Sequence, residues 1–180
     1  MAALLGAEIG QAEEISAEAT KGHEVCVVAN DNAPGQVVIS GHKAAIERAA
    51  EISKTKGVKR AMMLPVSAPF NSPLMEQAAR EMEDALASAN MRPPRVPVIS
   101  NVSVKAESDP ATIKRLLVQQ VTGRVRWRET IESLRGHGIT SVVEIGTGKV
   151  LTTMAKRIDK DLALFSVDTP QDIEAFLKTL

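Results

Sequence analysis

Leu64-Pro65-Val66-Ser67-Ala68-Pro69-Phe70-Asn71-Ser72-Pro73-Leu74-Met75 is the stretch on which the fold turns. The run before it, Val58 to Val66, is strand-like and the run after it is strongly helical, so it reads as a strand-to-helix crossing. Pro65, Pro69 and Pro73 each fix φ and restrict the residue before them. Ser72 is expected to cap the next helix, with Pro73 at the first position, where its missing N–H costs nothing. Asn71 then stands just ahead of a helix N-terminus, on a loop stiff enough to hold a polar side chain in place. Taken alone, the same residues also fit a rigid connection with no further role.

On the N-terminal side, Met1 to Gly6 suits a buried strand, and Ile9, Ala12, Ile15 and Ala19 keep helical spacing up to Gly22. Val25 to Ala29 and Gln36 to Ser40 form a hairpin across Asn30 to Gly35, a turn longer than the tightest type. Ile46, Ala49, Ala50 and Ser53 mark a helix over Lys43 to Lys56, stopped by Gly57. The order β-α-β-β-α-β over residues 1–66 is the ferredoxin-like pattern.

On the C-terminal side, Pro73 to Ala89 is the clearest helix, with Leu74, Met75, Ala78, Met82, Ala85 and Leu86 as its stripe. The methionines in and beside it are expected in the core. Val98 to Val104 reads as a short buried strand. Asp109 and Pro110 open a helix whose apolar face carries Ile113, Leu116, Leu117 and Val121 together with Gln120. Trp127 to Leu134 reads as a further helix. Ile139 to Ile145 and Leu162 to Val167 are strands, each followed by a helix, at Val150 to Ile158 and Pro170 to Leu180. This alternation predicts a mainly parallel sheet covered on both faces.

Composition narrows the functional classes. Lys plus Arg and Asp plus Glu are both 22, so no basic field is available for nucleic acid or an anionic membrane. No apolar run approaches bilayer-spanning length, and a cytoplasmic setting is the simplest expectation. The single cysteine, Cys26, lies in a strand-like run and reads as a buried, inert thiol. His23, His42 and His137 have no metal-ligand spacing and read as surface residues, so no metal site is expected. Gly146-Thr147-Gly148-Lys149 departs from a P-loop because Val150 follows the lysine, and it reads as a tight turn. The Gln120 amide, on an apolar stripe, must find partners or cost about 1–3 kcal/mol; a satisfied core amide and a functional group fit equally. No G-x-S-x-G elbow exposes a serine; Ser40 precedes Gly41 but has Val38 two residues before it.

The Val66 to Met75 stretch resembles the histidine loop of the malonyl-CoA:acyl-carrier-protein transacylases, V-S-A-P-F-H-S-P-L-M, with Asn71 where that family has its catalytic histidine. Further matches lie at Asn30 to Gly41, Pro97 to Val102, Leu117 to Trp127 and Val143 to Leu151, so the resemblance covers essentially the whole chain. It implies an α/β fold: residues 1–66 as a ferredoxin-like small subdomain, and residues 67–180 as the C-terminal part of an α/β-hydrolase-like parallel-sheet core. The family's nucleophilic serine and acid-binding arginine precede the point where this chain begins, so Met1 is expected to be an internal start in a longer parent.

The implied chemistry is ping-pong transfer of malonyl from CoA through a serine ester to the phosphopantetheine thiol of acyl-carrier protein, in fatty acid biosynthesis. CoA enters only as the thioester substrate, and no cofactor is implied. The backbone carbonyl near Gln120 is expected to orient the residue at position 71. Asn30, Asn32 and Gln36 correspond to positions lining the acyl and pantetheine entrance, and Phe70 resembles the choice in malonyl-selective relatives. Without serine and histidine the chain alone is expected to be inactive. The implied partners are malonyl-CoA, acyl-carrier protein and the missing N-terminal half. A polyketide synthase acyltransferase domain and a non-catalytic module binding carrier protein or CoA are the alternative readings.

Overall fold

The computed structural model describes residues 1–179, so the last residue of the helix expected over Pro170 to Leu180 lies outside the described residues. The chain forms two compact units, residues 1–130 and 131–180.

The first unit opens with β1 (Ala2–Leu5), α1 (Ile9–Ala19), β2 (Cys26–Ala33), β3 (Gln36–Gly41), α2 (Lys43–Thr55) and β4 (Arg60–Met63). These strands form one sheet in the order β2-β3-β1-β4, with every neighbouring pair antiparallel. Strand alternation puts Ala2, Leu4, Val28, Val37 and Ile39 in one core with Ile15 of α1 and Ile46 and Ala49 of α2. Leu4, Ile15, Ile39 and Ile46 are wholly buried there, each contributing roughly 1.5–3 kcal/mol. Cys26 belongs to the same core, and burial pushes its thiol pKa up, as an inert thiol requires.

The hairpin turn is tighter than the sequence suggests. β2 continues through Asn30 to Ala33, and the reversal falls at Pro34 and Gly35, with Gly35 at φ 69°. Two irregularities in the β2–β3 register, at Val28/Asn30 and Asp31/Ala33, absorb the polar residues into the strand. β4 is likewise shorter than the expected run from Val58 to Val66, because the proline-rich stretch leaves the sheet after Met63.

The same unit continues with a 3₁₀ turn (Pro73–Met75), α3 (Glu76–Ser88), β5 (Val98–Ile99), β6 (Ala106–Glu107), α4 (Pro110–Thr122) and α5 (Trp127–Ser133), within which the unit boundary falls. The predicted stripe of α3 is not a core face: Ala79 is its one buried residue, and Met82 is 41% exposed. α3 lies mainly against α4 and the preceding 3₁₀ turn, which leaves much of the stripe uncovered. Met75 and Met91 are only half-buried, which also corrects the expected methionine core. The expected buried strand from Val98 to Val104 shrinks to a two-residue pairing with β6. Val98 is exposed and the chain turns at Val104, whose φ of 57° is unusual for a β-branched residue. Asp109 caps α4 as read, its carboxylate accepting from Thr112 N at 2.8 Å.

The second unit holds β7 (Ser141–Ile145), α6 (Val150–Ile158), β8 (Ala163–Val167) and α7 (Pro170–Leu177), after a 3₁₀ turn at Leu134–His137. β7 and β8 pair in parallel, the one parallel strand pair among the described residues, so the expected mainly parallel sheet is reduced to two strands. With one strand partner among the described residues, β7 buries none of its residues fully, and Ile145 is 83% exposed. The Gly146 to Lys149 turn has Gly146 at φ 131° and Gly148 at φ 95°. Glu144 fills the α6 N-terminus behind it, accepting from Leu151 N at 3.0 Å and from Thr152 N and Oγ1 at 2.8 Å. These donors hold its carboxyl below the usual range, and a carboxylate already occupies the place a phosphate would take.

Arg135 bridges Asp159 through two 2.6 Å hydrogen bonds and reaches Asp161 at 2.8 Å. The guanidinium brings the Asp159 pKa from 3.8 down to about 2. A depressed folded-state pKa gives stability that is present above the unfolded value and lost as pH falls through the folded one. The melting temperature should therefore drop between about pH 4 and pH 2, and Arg135→Met should flatten that part of the curve. An identical acid slope in Arg135→Met would contradict the assignment.

Candidate active site

The loop after β4 places Asn71 in the left-handed region, φ 52°, which asparagine tolerates better than most residues. Behind it the Ser72 hydroxyl, wholly buried, donates to Pro69 O at 2.6 Å. This corrects the reading of Ser72 as a side-chain cap: its hydroxyl closes the loop backwards, and no side-chain cap bond reaches the turn beginning at Pro73.

Asn71 Nδ2 donates to Gln120 O at 3.0 Å and to Gly123 O at 3.2 Å. Both carbonyls lie at the C-terminal end of α4, where the last carbonyls of a helix lack intrahelical partners. Two carbonyl acceptors fix which way the amide faces: the nitrogen meets α4 and Oδ1 is turned away as a spare acceptor. Gly123 is required at this corner because a Cβ there would come within 2.7 Å of Gln119 O. The two readings of Gln120 divide between its atoms. Its side-chain Nε2 is satisfied by Gly123 O at 3.2 Å, and its backbone carbonyl receives Asn71.

The segment after α4 runs along the outer edge of β2. Asp31 N donates to Val125 O at 2.9 Å and Val125 N to Ala29 O at 2.8 Å, a parallel bridge at Asn30. The 120–125 segment therefore carries the contacts of Asn71 and, at Val125, the bridge to Asn30. Asn30 and Asn32 are half-buried on β2, while Gln36 pairs with Ala33 and Leu5 at the hairpin end. Asn71 makes no hydrogen bond to Asn30, Asn32 or Gln36 among the described residues. Phe70 is 42% exposed beside it. An apolar cavity of about 240 Å³ opens next to Gln120, lined by Val98, Ile99, Leu116 and Leu117 with Asn101.

Other candidates fall away. Ser40 is wholly buried in β3, out of reach of any substrate. His42 Nδ1 accepts from Val25 N at 2.8 Å and is spent on the hairpin. Among the described residues no group of three or more His, Cys, Asp or Glu is placed to hold a metal ion. Sequence reasoning passed over Gly123, whose signal was its place directly after a helical run. It also passed over the Asp31–Arg128 pair, whose members lie 97 positions apart and leave no local signal.

The mixed α/β fold agrees with comparison to known proteins. The acyl transferase domain model matches residues 2–167, and the chain belongs to that family. Within it, the chain is similar to malonyl CoA-acyl carrier protein transacylases. That of Bacillus subtilis is 39% identical over 180 residues, which is 100% of this chain and 57% of that protein. That of Escherichia coli K12 is 40% identical over 178 residues, 99% of this chain and again 57% of that protein. The crystal structure of acyl-carrier-protein-S-malonyltransferase from Bartonella henselae superposes with a TM-score of 0.94 at 52% identity, covering 99% of this chain and 56% of its own. A malonyl-transacylase solved in complex with a type II PKS acyl-carrier protein superposes with a TM-score of 0.95 at 35% identity, covering 99% and 58%. The chain thus spans about 57% of the length of the curated relatives it matches.

Proposed function

We propose that this chain is the part of a malonyl-CoA:acyl-carrier-protein transacylase that carries the base position, here occupied by Asn71. The hydrogen bond from Asn71 to Gln120 O carries the reading, since a donor at that position aimed at that carbonyl is what the family resemblance requires. In the complete reaction a serine attacks the malonyl thioester and CoA leaves as the thiol. The malonyl ester then passes to the phosphopantetheine thiol of acyl-carrier protein. The base at position 71 takes the serine proton and returns it to the departing thiolate; an asparagine amide holds the geometry but cannot take a proton. Asn30, Asn32, Gln36 and Phe70 line the entrance.

The strand order of residues 2–63 supports a ferredoxin-like small subdomain. The parallel β7–β8 pair supports a remnant of an α/β-hydrolase-like sheet completed by a further N-terminal half. The setting is cytoplasmic, and no helix among the described residues is long and apolar enough to cross a membrane. A non-catalytic module for carrier protein or CoA is the second reading, favoured by the asparagine itself.

The chain alone, incubated with radiolabelled malonyl-CoA, should carry no hydroxylamine-sensitive label and yield no labelled carrier protein. Titration with holo carrier protein then reports binding without transfer. Label mapping to a serine of this chain would overturn the proposal.

A further inference from the structure

Asp31 is an acid buried beside the candidate site and used by no step above. It is 2% exposed, and Arg128 at the start of α5 grips it in a fork: Nε lies 3.1 Å from Oδ1 and 3.0 Å from Oδ2, and a terminal nitrogen lies 2.9 Å from Oδ2. The two register irregularities of β2 bracket the Asn30–Asp31 step. Such bulges re-aim side chains and twist the strand they interrupt. Here β2 is the edge strand of its sheet, and at this step its free edge takes the bridge to Val125. Arg124 Nε adds a bond to Val28 O at 3.4 Å, so the whole corner after α4 is sewn to the strand bearing Asn30 and Asn32. Gly123 O, the acceptor shared by Asn71 and Gln120, lies two residues before Val125.

We infer that Asp31 and Arg128 form a positioning clamp that sets the Gly123 and Gln120 carbonyls, and through them the aim of residue 71, against the entrance strand. The clamp matters for catalysis only if position 71 is the base position, so it rests on the proposed function. A bidentate guanidinium–carboxylate pair fixes distance and plane together, which apolar packing or a lysine does not. Because the carboxylate is the buried member and Arg128 retains 22% exposure, Asp31→Asn reduces the two-oxygen fork to a single neutral acceptor without leaving an unpaired charge at the buried position.

The test is hydrogen exchange of the Asn71 side-chain amide by NMR in the full chain, with Arg128→Lys and Asp31→Asn beside the unaltered protein. The Ile39 backbone amide in the central sheet reports global opening. The clamp predicts Asn71 exchange faster by about tenfold in both variants, the equivalent of losing one ordinary hydrogen bond, with Ile39 unchanged. Asn71 and Ile39 accelerating together would reduce the pair to general stability and overturn the clamp. Unchanged Asn71 exchange in both variants would overturn it too, while leaving the base-position reading intact. Asn71 exchanging like a free carboxamide in the unaltered chain would overturn both.

Discussion

Gly41→Ala should cost the first unit about 3 kcal/mol or more, shifting its folding equilibrium by roughly a hundredfold. Gly41 ends β3 opposite Cys26, with the Val25–Cys26 backbone close against it. A Cβ built on it would lie 1.9 Å from Val25 O, 2.7 Å from Val25 C and 2.9 Å from Cys26 Cα. All three are backbone atoms, so no side-chain rotation relieves the overlap. The carbonyl it strikes also accepts from His42 N at 2.9 Å, and the entry to α2 is tied to that contact. Gly10 supplies the control: it lies in α1, where an added methyl group would meet nothing within 4 Å, so Gly10→Ala should stabilise by roughly 0.5–1 kcal/mol. Urea unfolding of the two variants should move the midpoint in opposite directions. An unchanged midpoint for Gly41→Ala would contradict the packing described for the hairpin.

Local signals carried far into this fold, and the limits have physical causes. Asp109-Pro110 announced the start of α4, and Val150 to Ile158 is helical over the range its pattern marked, because capping and periodicity act within one or two turns. The polar run Asn30 to Ala33 concealed its strand. Its pairing depends on bulges and on Val125, nearly a hundred positions away, which no window of neighbouring residues contains. The stripe of α3 and the apolar runs at Val98 and Ile139 to Ile145 named surfaces that seek cover. Whether they are covered depends on what packs against them; α3 meets chiefly α4, and β7 has β8 as its strand partner among the described residues. At the site, Asn71 and Gln120 were legible through resemblance to a family motif. Gly123, Asp31 and Arg128 were not, because each acts through a backbone approach or a charge pairing that only the assembled chain creates.

Exchanging the side chain at position 71 tests most directly the proposal that it holds the proton-transfer position of an acyl transferase. The chain is joined to the N-terminal portion of a close relative, once with Asn71 and once with Asn71→His, and malonyl transfer to acyl-carrier protein is measured. An imidazole N–H can donate to the Gln120 carbonyl that now takes the Asn71 amide, leaving its second nitrogen for the serine hydroxyl. Folding and malonyl-CoA affinity should therefore be nearly equal in the two proteins. Only the imidazole carries a proton between serine and thiol, and a positioned general base contributes roughly 10²–10⁴-fold. The Asn71→His protein should be faster by about that factor, with its rate falling as pH drops through an imidazole pKa near about 6.5. Equal rates in the two proteins, without a pH break introduced by the histidine, would contradict the assignment of this loop.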